Sequence, residues 1–164
     1  MVKDLSNYLK VGVYNMNVSD FMTKDVITCT QDQTVSDAAV LMEKKNISAV
    51  PIVDNNNKLV GIVTESDFVG KEAKVSHALA SIKQLFGQTF NLGSIEEIYK
   101  KVKKKPLSEV MSTDVLTITP DTTLNKVVNL MIEKNLKRFP VVKDEKIVGI
   151  ITRKNLLYAF NKVN

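Results

Sequence analysis

The sequence predicts a mixed α/β fold in which one β-α-β-β-α unit is written twice with pseudo-two-fold symmetry. Two observations carry this: a single register shift superimposes two stretches of the chain, and within each stretch β-rich pieces alternate with helical periodicity. Met22-Thr23-Lys24-Asp25-Val26-Ile27-Thr28 matches Met111-Ser112-Thr113-Asp114-Val115-Leu116-Thr117 at a shift of 89, the distance from Met22 to Met111. The same shift carries Thr34 onto Thr123, Leu41-Met42 onto Leu130-Met131, Lys45-Asn46 onto Lys134-Asn135 and Pro51 onto Pro140. Gly61-Ile62-Val63-Thr64 then falls on Gly149-Ile150-Ile151-Thr152 at a shift of 88, so the turn Asp54 to Asn57 is one residue shorter in its second copy, Lys143 to Glu145. Length changes belong in turns, which supports the alignment.

The elements follow in order. Residues 1–17 form an N-terminal segment whose Leu5, Tyr8 and Tyr14 give it apolar character, so part of it is expected to dock. The first repeat, 18–70, opens with a β-rich piece, Val26 to Cys29. Val35, Ala38, Ala39 and Met42 then stand at i, i+3, i+4 and i+7 of an amphipathic helix. Thr34 with Asp37 three residues on suits its start, and Asn46 suits a left-handed stop. Ala49 to Val53 and Leu59 to Thr64 read as strands joined by a hairpin turn. The second repeat, 107–164, repeats this pattern: Val115 to Thr119, a helix on Leu124, Val127, Val128 and Met131 stopped at Asn135, then Phe139 to Val142 and Ile147 to Thr152. A strand, helix, strand order implies parallel neighbours and the hairpin an antiparallel pair, so each sheet is mixed. The near-continuous apolar run Ile147 to Ile151 is expected to be covered on both faces. The connection 71–106 carries Val75, Leu79, Ile82 and Leu85-Phe86 at helical spacing, breaks at Gly87 and Gly93, and a further helical stretch, Ile95 to Lys104. A lid, a dimer contact and a spacer all fit it.

At 164 residues and 44% hydrophobic content the chain has enough apolar material for a compact domain. No apolar run approaches the ~18 residues that cross a bilayer, and Met1 to Lys10 lacks a secretory signal's apolar stretch, so a cytoplasmic location without membrane contact is expected. The lone Cys29 agrees with a reducing compartment and is too little for a cysteine-based metal site; no metal is expected. With His77 as its single histidine counterpart in another segment, Cys29 reads as a buried structural thiol rather than a nucleophile. The net charge of +5 biases the chain toward anionic partners, with nucleic acid and phosphate-bearing small molecules as candidates. Much of the excess sits in Lys100, Lys101, Lys103, Lys104 and Lys105, where a solvated run closing a helix explains it as simply as a nucleic-acid contact does.

The chain has no pair of histidines, no Walker-type loop and no nucleophile elbow, and its carboxylates form no repeated pair, so it is not expected to be an enzyme. What recurs is a strand entering a helix through a hydroxyl, Gly61-Ile62-Val63-Thr64-Glu65-Ser66-Asp67 and Gly149-Ile150-Ile151-Thr152-Arg153-Lys154-Asn155. A helix start presents unpaired N–H groups to phosphate, the threonine adds a hydroxyl, and an acid one turn in accepts from ribose. The same residues also make good caps, with Thr64 and Thr152 at N-cap and Asp67 as a first-turn acid, and the local sequence leaves both readings open.

The M-x-x-D-h-h-T opening, the helix-Asn-h-x-x-h-Pro-h-h middle and the h-G-h-h-T-x-x-D ending, in which h is an apolar residue, resemble the cystathionine β-synthase (CBS) domain over Val18 to Phe68 and Leu107 to Leu156. That resemblance implies a tandem pair, or Bateman module, shaped as a disc with two clefts between the copies. It also implies an adenosine-containing ligand such as AMP, ADP, ATP, S-adenosylmethionine or NAD, with no cofactor held tightly. On it, Asp67 holds the ribose and Thr64 the phosphate in one cleft, with Thr28 and the backbone around Ala49 and Val50 near the base. The second cleft departs from the pattern at Thr152: Asn155 stands where the family has Asp, which keeps hydrogen bonding but removes the charged acceptor, so ribose binding there is expected to be weaker or absent and the sites inequivalent. The two arginines, Arg138 and Arg153, both lie in the second copy beside that cleft. Arg138, two residues before Pro140, matches a position where the family places a phosphate-binding base, and an arginine fork suits phosphate better than lysine does. Arg153 reads equally as a ligand contact or a solvated first-turn residue. The resemblance implies a sensor regulating a partner on another chain, assembled as a homodimer. A ligand-free oligomerisation module and a nucleic-acid binder are the alternatives.

Overall fold

The structure, a computed structural model, describes residues 16–65, 67 and 102–162. Leu5, Tyr8, Tyr14, His77, the helical spacing of Val75 to Phe86 and the stretch from Ile95 to Lys101 lie outside the described residues. In chain order the described elements are α1 (Val18–Phe21), β1 (Cys29–Thr30), α2 (Val35–Lys45), β2 (Ala49–Val53), β3 (Leu59–Thr64), a 3-10 turn (Leu107–Glu109), α3 (Leu124–Glu133), β4 (Arg138–Lys143), β5 (Lys146–Thr152) and α4 (Arg153–Lys162). They divide between two compact units.

One unit holds the described residues 27–55, 60–65, 67 and 102–115. Its strands lie in the order β1-β2-β3. β1 runs parallel to β2, Cys29 opposite Ile52 and Thr30 opposite Val53, and the short connection from β2 to β3 requires an antiparallel hairpin, giving the expected mixed sheet. α2 starts on Thr34, whose hydroxyl accepts from the Asp37 N–H at 3.2 Å while Oδ2 of Asp37 accepts from the Thr34 N–H at 2.8 Å. It stops on Asn46, left-handed at φ 49°, with the Ile47 N–H donating to the Met42 carbonyl, the bond that closes a left-handed helix stop. Val35, Ala38 and Met42 turn inward onto Cys29, Val50, Ile52, Val63 and Leu107, while Ala39 stays exposed on the flank of the stripe. β2 is buried along all five residues.

The other unit holds the described residues 16–26, 56–59 and 116–162. β4 and β5 pair antiparallel from Arg138 opposite Thr152 to Lys143 opposite Lys146, with an irregularity between Val141 and Val142. Their two-residue turn, Asp144 and Glu145, has φ of 50° and 64°, the doubly left-handed geometry that matches strand twist. Ile118 adds a parallel bridge to Val141, so this sheet is mixed too. Phe139, Leu124, Val127, Met131, Val141 and Ile151 form the core with Val18. β5 alternates between buried and half-buried residues, so the two-faced covering expected of it is complete only for β2.

The expected strands Val26 to Cys29 and Val115 to Thr119 are shorter than the sequence pattern suggests. The Val26 N–H donates to the Lys24 carbonyl at 2.9 Å and the Val115 N–H to the Thr113 carbonyl at 3.0 Å, so Asp25 and Asp114 each sit at the centre of a three-residue turn. The first strand therefore begins at Cys29, and the second is reduced to the bridge at Ile118.

The openings of the two copies are exchanged. Met22 and Thr23 of the first copy lie on β5 of the second, with Thr23 and Ile150 exchanging N–H to carbonyl bonds at 2.9 Å. Ser112 of the second copy makes the same pair with Ile62 on β3 of the first, at 3.0 Å each way. Val18 is fully buried in the core of the second copy, and its counterpart Leu107 in that of the first.

Candidate functional site

The two recurrent strand-to-helix junctions are built alike. At the end of β3 the Glu65 N–H donates to the Ser48 carbonyl at 3.2 Å, and at the end of β5 the Arg153 N–H donates to the Lys137 carbonyl at 3.1 Å. Each bond brings the start of a helix against the start of the neighbouring strand and makes a corner at one end of the sheet.

In the first corner the Thr64 N–H and hydroxyl both donate to Oδ2 of Asp67, at 2.7 and 3.0 Å. Oδ1 of Asp67 carries no hydrogen bond among the described residues, and the side chain is half-buried. One carboxylate oxygen is thus fixed by the cap, and the other accepts from no described residue. In this arrangement the Thr64 hydroxyl proton is directed at Asp67, so Thr64 orients the acid. Ala49 and Val50 begin β2 at the same corner, but Val50 is fully buried and Ala49 6% exposed. The half-buried Ser48 just before them offers the reachable surface there. Sequence reasoning did not single out Ser48, although its neighbour Ala49 pointed to the spot. Thr28, half-buried, precedes β1 at the level of Pro51. Thr28, Ala49, Val50, Thr64 and Asp67 therefore share one unit, in which β2 lies between β1 and β3.

The second corner gathers Arg138, Thr152, Arg153 and Asn155. Arg138 lies opposite Thr152 in the β4–β5 ladder and is half-buried. Arg153 is exposed, with Nε donating to the Leu136 carbonyl at 3.2 Å. Asn155 repeats the cap: Oδ1 accepts from the Thr152 N–H at 2.9 Å and from its hydroxyl at 2.6 Å, and the Asn155 N–H returns to the Thr152 hydroxyl at 3.3 Å. Its Nδ2 reaches further, to the Phe21 carbonyl at 2.9 Å and the Thr23 hydroxyl at 3.4 Å.

Lys103 and Lys104 are exposed, and Lys105 pairs with Glu109 at 2.7 Å. Cys29 is buried, and burial together with the charge of Asp37 pushes its thiol up from the ordinary value. Among the described residues, no three His, Cys, Asp or Glu side chains gather as a metal site, and no helix is long and apolar enough to cross a membrane.

A family model described as CBS domain matches residues 18–74 and again 107–162. The uncharacterized protein MJ1426 of Methanocaldococcus jannaschii is 31% identical over 96% of this chain and 99% of its own length. Among solved structures, Arabidopsis thaliana CBSX2 in complex with AMP matches with a TM-score of 0.69 and 25% identity, covering 90% of this chain and 97% of that one. The CBS domain pair of protein MJ0100 in complex with 5′-methylthioadenosine and S-adenosyl-L-methionine matches with a TM-score of 0.64 and 29% identity, covering 91% and 98%.

Proposed function

The chain belongs to the CBS-domain family, and on that premise we propose that it is a regulatory, non-catalytic module that binds an adenosine-containing ligand, an adenine nucleotide or an adenosyl compound. The observation that carries the reading is the Asp67 carboxylate at the corner where β2 begins, held on Thr64 through one oxygen, with the other bonded to no described residue. That oxygen accepts from the ribose hydroxyls. The Thr64 hydroxyl turns from the acid to the phosphate, and Thr28 with the backbone around Ser48, Ala49 and Val50 borders the base. At the second corner Arg138 and Arg153 supply positive charge suited to a phosphate-bearing group. The AMP bound to CBSX2 and the S-adenosyl-L-methionine bound to the MJ0100 pair support an adenosyl ligand here. On the same premise the chain forms a two-fold homodimer that acts on another protein, and Ile132, Leu157 and Phe160, all exposed, supply apolar surface for such contacts.

The competing reading, in which the corner is a helix cap and the module serves assembly alone, draws on Thr34 and Asp37, which make the same bonds at the start of α2. Asp67→Asn separates the two, because it keeps an acceptor for the cap and removes the charge. A thermal-shift screen against AMP, ADP, ATP, S-adenosylmethionine, NAD and a phosphate control tests the proposal. A ligand at a hundred times its Kd adds about 2.7 kcal/mol, about 5–10 °C for a chain of this size. A shift with one adenosyl compound that is lost in Asp67→Asn is the expected result. Melting points that no adenosyl compound moves, on protein freed of carried-over nucleotide, leave the cap reading standing.

A further inference from the structure

Asn155 has no hydrogen-bonding capacity left for a ligand. An amide oxygen offers two acceptor positions and an amide nitrogen two N–H donors. The oxygen accepts from the Thr152 N–H and hydroxyl, and the nitrogen donates to the Phe21 carbonyl and the Thr23 hydroxyl. The orientation of the amide follows from its partners, since a backbone N–H at Thr152 requires the oxygen and a carbonyl at Phe21 requires the nitrogen. Asp67 makes the same two bonds through one oxygen, and its other oxygen accepts from no described residue. A carboxylate at 155 would face the Phe21 carbonyl as acceptor against acceptor. The exchange of asparagine for aspartate therefore does more than remove a charge: it creates a donor that ties the start of α4 to the opening segment 134 residues earlier in the chain.

We propose that Asn155 is a positioning residue that pins the opening segment, through the Phe21 carbonyl and Thr23, onto the second copy, and that the Thr152 corner is thereby closed to ribose. The chain takes one adenosine-containing ligand, at Asp67. The ligand count rests on the reading of the Thr64–Asp67 corner as a nucleotide site; the pin does not.

The test is isothermal titration of the full chain with AMP and with S-adenosyl-L-methionine as probes, beside the melting points of Asn155→Asp and Asp67→Asn. One equivalent per chain is expected. Asn155→Asp lowers the melting point by about 4–8 °C, the effect of leaving a part-buried carbonyl without its donor, and leaves affinity at the other corner within about twofold, well under the tenfold that 1.4 kcal/mol represents. The melting deficit narrows toward pH 4, where the carboxyl is protonated and donates again. Asp67→Asn abolishes binding with little change in melting. Two equivalents per chain, one of them lost in Asn155→Ala, would overturn the closed corner, and an Asn155→Asp melting point equal to the parent's would overturn the pin. If neither these probes nor the ADP, ATP and NAD of the thermal screen bind, the nucleotide reading and the one-ligand count fall together, while the pin is still decided by the melting shift. Should Asn155→Asp not fold, the side-chain amide of Asn155 in the parent protein decides by nitrogen-15 NMR: protected from exchange and unmoved by saturating AMP if the proposal holds, exchanging freely or displaced by AMP if it does not.

Discussion

Cys29 combines 2% exposure with a place on β1 directly opposite Ile52, so a solvent-borne reagent has no path to its sulfur without opening the sheet. Burial, and secondarily the negative charge of Asp37, raise its pKa, so the folded chain holds a neutral thiol at pH 7, which suits neither attack nor metal binding. A raised folded value means that this group favours the native state at pH values below its unfolded pKa, and that the contribution fades as pH climbs toward the folded value. The expected outcome is that a disulfide reagent such as dithionitrobenzoate leaves the native chain unlabelled at pH 7 and labels one thiol in urea, with native labelling and loss of stability both setting in on the alkaline side of pH 9. Rapid labelling at pH 7 would return Cys29 to the list of reactive groups. At this scale much was legible: a lone cysteine among strand-forming residues reads as buried, and Asn155 stands out as a departure from a repeated motif. Its partner was not legible, because a side chain that donates across 134 residues leaves no local signature.

Glycine at the fourth residue from the end of β3 and of β5 has a packing reason. A Cβ on Gly61 would stand 2.5 Å from Sδ of Met111 and 3.1 Å from the Ser112 carbonyl oxygen. On Gly149 its three nearest neighbours would all be atoms of the Met22 side chain, Cγ at 3.0 Å and Cε at 3.2 Å among them. A methionine can bend away and a backbone carbonyl cannot. Gly149→Ala is therefore expected to cost about 1 kcal/mol and to be restored by Met22→Ala, whereas Gly61→Ala costs about 2–3 kcal/mol and is restored only in part by Met111→Ala. Urea unfolding of the two double-mutant cycles reads the difference, and equal recovery in both would show that the Ser112 carbonyl is no obstacle. The repeat made each methionine and each glycine visible in the sequence. It could not say that Met22 belongs with Gly149 and Met111 with Gly61, because a register shift equates positions without stating which copy each one packs on. The helices were legible to the residue at Thr34 and Asn46, where capping chemistry is local, and β2 and β3 were legible from their apolar runs. The first strand of each copy was drawn too early because Val26 and Val115, which close three-residue turns on Asp25 and Asp114, look in sequence like the start of a β-rich stretch.

The exchange of openings makes each compact unit a product of both copies, and the chain passes from one unit to the other after Val26, Asn55, Leu59 and Val115. Unfolding either unit therefore releases segments that flank the other, and the backbone bonds at Thr23–Ile150 and Ile62–Ser112 are lost with the strands that hold them. This argues for one cooperative transition rather than two, although the repeats look like separable modules when read along the chain. Phe139 lies fully buried in the unit that holds α3, β4 and β5, and Cys29 in the unit that holds β1, β2 and β3, which gives a perturbation on one side and a reporter on the other. Truncation of a buried phenylalanine costs about 3–5 kcal/mol. If the units unfold together, Phe139→Ala lowers the urea midpoint for Cys29 labelling by the same amount as the midpoint followed by far-ultraviolet circular dichroism, with one transition in each. If they unfold independently, circular dichroism divides into two steps and the thiol keeps the midpoint it has in the parent chain. The cooperative outcome carries a functional consequence: a ligand that binds only at Asp67 would raise the stability of the unit containing Arg138 and Asn155 as well, so occupancy of one corner would be felt throughout the pair.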